Sequence, residues 1–182
     1  MSKSVKGLLV GLFSLVVLAL GVSAANAYTV SPGGSFTAAS LGKLNLESDI
    51  VTLNCNVSLA GSLRTTIPNL GDNAGSVTSG SVTNCDDGFS VDLLFGSAWP
   101  LTAVSYTASG TGDIVLINIS NVGFQVNFLG SPVCLFGGDV GFQYVEGGLI
   151  TILANTLSGD CGTGSLAAGS QFALSPAQNI TP

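Results

Sequence analysis

No histidine occurs among the 182 residues. Without it there is no Ser-His-Asp or Cys-His catalysis, no imidazole zinc ligand and no imidazole acid–base group. Basic residues are nearly as scarce. Lys3, Lys6, Lys43 and Arg64 face ten acidic residues, for a formal net charge of −6. Neutralising phosphates takes clustered Lys and Arg, so no nucleic-acid partner is expected. A Ser-Lys dyad would have to use Lys43 and is discounted. Neither C-x-x-C nor a P-loop is present, which removes thioredoxin-like redox and P-loop nucleotide chemistry. No cofactor is expected. No segment carries ten residues of capped helical periodicity, and after residue 27 no second long apolar run follows.

What is present begins with export grammar. Lys3 and Lys6 precede an apolar core of fifteen residues, LLVGLFSLVVLALGV, and VSAANA then supplies small residues for cleavage. Ala25-Asn26-Ala27 fits the A-x-A rule and would leave Tyr28 first; cleavage after Ala24 is the alternative. The core is shorter than the roughly 20 residues a bilayer span needs. Residues 1–27 are therefore read as a cleaved secretory signal and residues 28–182 as one domain, secreted to the periplasm or beyond with no transmembrane segment. After cleavage only Lys43 and Arg64 oppose the ten acids, a net charge of −8. Solubility then rests on Ser, Thr, Asn and Gly. So weakly charged a surface is little repelled by apolar phases or by its own copies.

The remaining chain alternates. In VTLNCNVSLAG, Val51, Leu53, Cys55, Val57 and Leu59 share one face while Thr52, Asn54, Asn56 and Ser58 share the other, the period-2 signature of a half-buried strand. NVGFQVNFL repeats it with Val122, Phe124, Val126 and Phe128. DVGFQYVEGGLITILA reads as a hairpin turning at Glu146-Gly147-Gly148. FSVDLLF, LTAVSYTA, DIVLINIS and SQFALSP add short strands. The expected fold is all-β, an antiparallel sandwich-like single domain with two disulfides and two related halves as an option.

Cys55 and Cys85 are 30 apart, Cys134 and Cys161 are 27 apart, and each second cysteine follows a Ser-Gly turn, in SGSVTNC and LSGDC. Four cysteines in an exported chain point to two structural disulfides. Three pairings are open on spacing; the internal echo favours Cys55–Cys85 with Cys134–Cys161. Cys55, in line with valines and leucines, reads as a buried anchor and not a reactive thiol.

The candidate acids are Glu47, Asp49, Asp72, Asp86, Asp87, Asp92, Asp113, Asp139, Glu146 and Asp160. A glycosidase-like pair would draw on them, with Asp86, Asp87 and Glu146 foremost. Most sit beside Gly or Asn, where turns place solvated carboxylates for backbone reasons, and no catalytic residue is assigned. Asp72-Asn73 and Asp86-Asp87-Gly88 offer oxygen ligands for calcium, but no full D-x-D-x-D-G loop exists, so no metal site is assigned. Phe89, Phe95, Trp99, Phe124, Phe128, Phe136, Phe142 and Tyr144 mostly take alternating strand positions suited to a core. Trp99, before Pro100, is expected at a strand end or turn. Asn56, Asn118 and Asn179 open N-x-S/T sequons of the kind an Asn-, Ser- and Thr-rich chain produces by chance.

SPGGSFTA after the signal, LNCNVSLAG, Cys85 followed by a Trp-Pro pair, SNVGFQVNFLGSPVC and LSGDC together resemble the alkane oxidation protein activators, PraA/PraB-like secreted proteins of pseudomonads and related bacteria. The resemblance runs over nearly all of residues 28–182; residues 62–82 match least, and Trp99 precedes Pro100 where the family has Pro before Trp. It implies a non-enzymatic exported protein that helps cells use n-alkanes at an oil–water or cell surface, with Cys55, Cys85, Cys134 and Cys161 as structural positions. Its partner would be an apolar hydrocarbon surface or the cell surface, with self-association an option. The competing expectations are an extracellular fibre or adhesive β protein, revealed by polymers in electron microscopy, and a carboxylate-dependent hydrolase.

Overall fold

The computed structural model describes residues 27–86, 88–109 and 112–182. The segment read as a secretory signal lies outside the described residues up to Asn26, as does Asp87. Among the described residues the elements are all strands. They are β1 (Tyr28–Ser31), β2 (Gly34–Ser40), β3 (Leu44–Ser48), β4 (Thr52–Leu63) and β5 (Thr66–Ile67). Next come β6 (Asn73–Thr83), β7 (Phe89–Leu93), β8 (Trp99–Thr107), β9 (Ile114–Phe128) and β10 (Ser131–Val145). The last are β11 (Leu149–Ile152), β12 (Leu157–Gly159), β13 (Gly162–Leu166), β14 (Gln171–Ser175) and β15 (Asn179–Thr181). The all-β antiparallel fold and both expected disulfides, Cys55–Cys85 and Cys134–Cys161, are present.

The sheet closes on itself. Four long strands, β4, β6, β9 and β10, form half of the wall. Pairs of shorter strands, end to end, form the rest: β2 and β3 beside β4, β11 and β12 beside β10, β14 and β13 between them, and β8 and β7 beside β9. The first tier is a complete ring, β2-β14-β11-β10-β9-β8-β6-β4, shut by the β2–β4 pairing. Such closure satisfies edge N–H and C=O groups that an open sheet would leave unpaired. The second tier runs β6-β4-β3-β13-β12-β10-β9-β7. There, among the described residues, no backbone pairing joins β6 to β7.

Side-chain alternation explains the closure. Along β4, Leu53, Cys55 and Leu59 are buried while Thr52 and Ser58 face out; along β14, Phe172 and Leu174 are buried between exposed Gln171, Ala173 and Ser175. DIVLINIS and NVGFQVNFL, read as separate strands, join into the single β9. A register shift between Gly138 and Val140 and a left-handed Asn121 (φ 60°) absorb the extra residue between them. The Asp139 carboxylate fastens that bulge by accepting the Asn121 N–H at 3.1 Å. The β10–β11 hairpin turns where expected, with Val145 opposite Leu149. Trp99 opens β8, buried, its ring stacked on Phe95 and its indole N–H donating to the Leu94 carbonyl at 3.2 Å.

A three-stranded sheet, β15-β1-β5, adjoins the first tier. Buried Gln178 fastens it: its Oε1 accepts the Gly33 N–H at 2.8 Å and its Nε2 donates to the Pro176 carbonyl at 2.9 Å. The Tyr144 hydroxyl, on β10, donates to the Gln178 carbonyl and accepts the Gln178 N–H at 3.0 Å. Burial pushes the Tyr144 phenol above its ordinary pKa.

Candidate functional site

The interior offers little room. Two apolar cavities, of about 50 Å³ in the first tier and about 70 Å³ in the second, lie on either side of Leu59, Ile119, Phe142 and Phe172. Each is well below the roughly 150 Å³ of a cavity that accepts benzene. Apolar contact on a larger area has to come from outside.

Among the described residues, four of the nine exposed large apolar side chains lie on the β9–β10 hairpin, two of them at its tip. Phe128 pairs with Ser131, so Leu129 and Gly130 form a two-residue turn with φ of 50° and 81°. Positive φ at both positions is the type I′ arrangement that favours Asn-Gly. A leucine there costs about 1–2 kcal/mol, and it points an apolar side chain at solvent: Leu129 is 76% exposed and Phe128 42%. Val133 and Leu135, on the same hairpin, are also exposed. Phe128 is thus the aromatic that leaves the core: it is paired on both sides, with Phe89 and Ser131, but it is the last residue of β9 and stands at the rim.

The tip is held from below. The Leu129 N–H donates to the Gly88 carbonyl at 2.8 Å, and the Phe128 and Phe89 rings meet at 4.9 Å. The loop carrying Gly88 follows Cys85, which is bonded to Cys55 on β4, and Cys134 on the hairpin is bonded to Cys161 in the β12–β13 turn. Both disulfides therefore brace the second tier, at the end bearing the tip.

Asp72, Asp86, Asp92, Asp113, Asp139 and Asp160 each hold a neighbouring polar group. Asp86 accepts the Asn54 side-chain and backbone N–H groups at 2.8 and 2.9 Å and pairs with Lys43 at 2.9 Å. These contacts, the Asn54 side chain first, hold its pKa below the ordinary 3.8. Asp160 accepts the Leu135 N–H at 2.7 Å, Asp92 binds Asn127 at 2.9 Å, and Asp72 accepts from Asn69 at 3.2 Å. Asp113 accepts the Tyr106 hydroxyl and the Ser109 N–H, the phenol first in lowering its pKa, while Tyr106 is pushed up to about 12. Among the described residues no three Cys, Asp or Glu side chains gather as a metal set. Glu47 and Asp49 come together with Asn155 around a polar surface hollow of about 440 Å³. Ser40 and Lys43 stand at S-x-x-K spacing, the pattern a Ser-Lys dyad would use. The fold engages both: the Ser40 hydroxyl accepts the Val57 N–H at 3.0 Å and Lys43 pairs with Asp86.

Leu129 escapes periodicity reasoning because it closes the alternating run, and Val133 and Leu135 because they hold the outward positions alternating with buried Cys134 and Phe136. The available signal is Leu-Gly where a hairpin turn favours Asn-Gly. Together these features define a disulfide-braced, closed antiparallel β protein with two small interior cavities and an apolar tip. The chain belongs to the family described as alkane oxidation protein activator, PraA/PraB-like, whose model matches residues 2–182. No curated protein and no solved structure matches it significantly.

Proposed function

We propose that this protein is exported and acts without catalysis of its own as an accessory to alkane use, placing the Phe128–Leu129 tip in a hydrocarbon–water interface. Family membership supplies the alkane connection. The observation that carries the site is Leu129, an exposed leucine held in a left-handed turn that a polar residue would occupy more cheaply. Apolar side chains on a rigid support enter an interface without the ordering cost of a flexible loop. Two disulfides behind the tip let it meet oil without unfolding, and the low surface charge weakens repulsion from the apolar phase.

The test uses the purified disulfide-intact protein on hexadecane, by pendant-drop tensiometry and droplet co-sedimentation. The protein should lower the interfacial tension and bind droplets. Phe128→Ser with Leu129→Asn, which suits the turn, should need at least tenfold more protein for the same effect, since tenfold is about 1.4 kcal/mol and each apolar side chain contributes on the order of 1.5–3 kcal/mol when fully buried. Failure of the parent protein in both assays, with unimpaired alkane growth of a deletion strain, would sink the reading.

A further inference from the structure

The wall of the second tier has a gap beside the larger cavity. β7 pairs with β9 along one edge, and among the described residues its other edge has no backbone partner on β6. What fills the gap is a side chain: Leu93 Cδ1 lies 2.7 Å from where a Cβ on Gly80 would sit. Glycine at position 80 is what lets that leucine rest against the strand. Directly behind this contact, Val82, Val91 and Leu93 line the cavity of about 70 Å³.

The gap adjoins the apolar tip. Phe89 begins β7 and packs on Phe128, and the Gly88 carbonyl holds the tip's Leu129. Side chains are easier to displace than backbone pairings, because a rotamer change breaks no ladder hydrogen bonds. The cavity lining is apolar throughout, so a guest must be apolar as well. The smaller cavity continues past Phe142 and Phe172, which meet edge to face at 6.4 Å. A bulky ring does not suit such a succession of narrow voids; the end of a linear chain does.

We infer that the seam between β6 and β7 is a portal, gated by Leu93 resting on Gly80, through which the end of an alkyl chain enters the second-tier cavity. The choice of alkyl chain rests on the proposed function; the portal rests on the gap and the cavity. The tip would meet the oil phase, and the seam beside it would take single chain ends from that phase.

Trp99 is the sole tryptophan, and it lines this cavity. Its fluorescence therefore reports entry of a heavy-atom alkane. With the disulfide-intact protein, 1-bromohexane should quench Trp99 saturably, and n-hexane should reverse the quenching by competition. Leu93→Phe, which plugs the seam, should raise the half-quenching concentration about tenfold or more. Phe128→Ser with Leu129→Asn should leave quenching unchanged while weakening droplet binding, which separates this inference from the interfacial one. Absence of saturable quenching in the parent, or equal quenching in Leu93→Phe, overturns the portal. Should Leu93→Phe show no cooperative thermal transition, Val91→Phe is judged by the same two outcomes.

Discussion

The pairing of Tyr106 with Asp113 links a single hydrogen bond to the pH response of the whole fold. The carboxylate accepts the phenol O–H, so losing that proton would set two anions against each other, and the folded state holds Tyr106 neutral up to about 12 instead of 10.0. A group whose pKa rises on folding contributes stability that is complete below the unfolded value and disappears as pH climbs through the folded one. Urea midpoints should therefore fall between pH 10 and about 12, and Tyr106→Phe should fall less steeply over that window. Asp86 and Asp113 act at the other end. Their lowered values stabilise the fold above the ordinary 3.8 and release it as pH drops below. An unchanged alkaline limb in Tyr106→Phe would remove the phenol from this account.

Within strands and hairpins, close backbone approach decides which positions tolerate a side chain. Gly159 ends β12, and a Cβ there would lie 2.1 Å from the Leu135 carbonyl oxygen and 2.8 Å from the buried Phe136 ring. β12 joins β10 only through residues 136–137 against 158–159. Gly159→Ala should thus destabilise by about 1–3 kcal/mol, as overpacking does, measured by urea denaturation. Gly96→Ala, with nothing within 4 Å, should stay within about 0.5 kcal/mol. Equal effects at the two glycines would contradict the close β10–β12 contact. The alternating strands β4, β9, β10 and β14 were legible beforehand, because each carries its own period-2 pattern. β6, NAGSVTSGSVT, was not: small polar residues dominate it, and it is extended because β4 and β8 both supply backbone partners.

For the molecule as a whole, the disulfides compensate for an incomplete ring. The first tier closes by backbone pairing, whereas the second, among the described residues, has no β6–β7 pairing and carries both bonds. Closing loops of 30 and 27 residues contributes about 3–4 kcal/mol each in the loop-entropy account. Replacing either pair by serine should lower the thermal midpoint accordingly. Cys55→Ser with Cys85→Ser should also shift Trp99 emission to the red, since it frees the loop leading to β7, which among the described residues pairs only with β9. Cys134→Ser with Cys161→Ser should not, and the same red shift in both would argue against a distinct role for the Cys55–Cys85 bond at the seam.

Strand character and the in-line burial of Cys55 could be read from the chain, because they depend on period-2 alternation among near neighbours; the cysteine pairing was open on spacing, favoured by an internal echo, and decided by the tertiary structure. Ring closure, the open β6–β7 seam and the exposed tip could not. Closure and the seam depend on how register and strand length add up around eight wall positions, and the tip on its place at the rim of that wall. Phe128 shows the division plainly: alternation gives it an inward-facing position, and its place as the last residue of β9, at the rim, leaves it partly exposed.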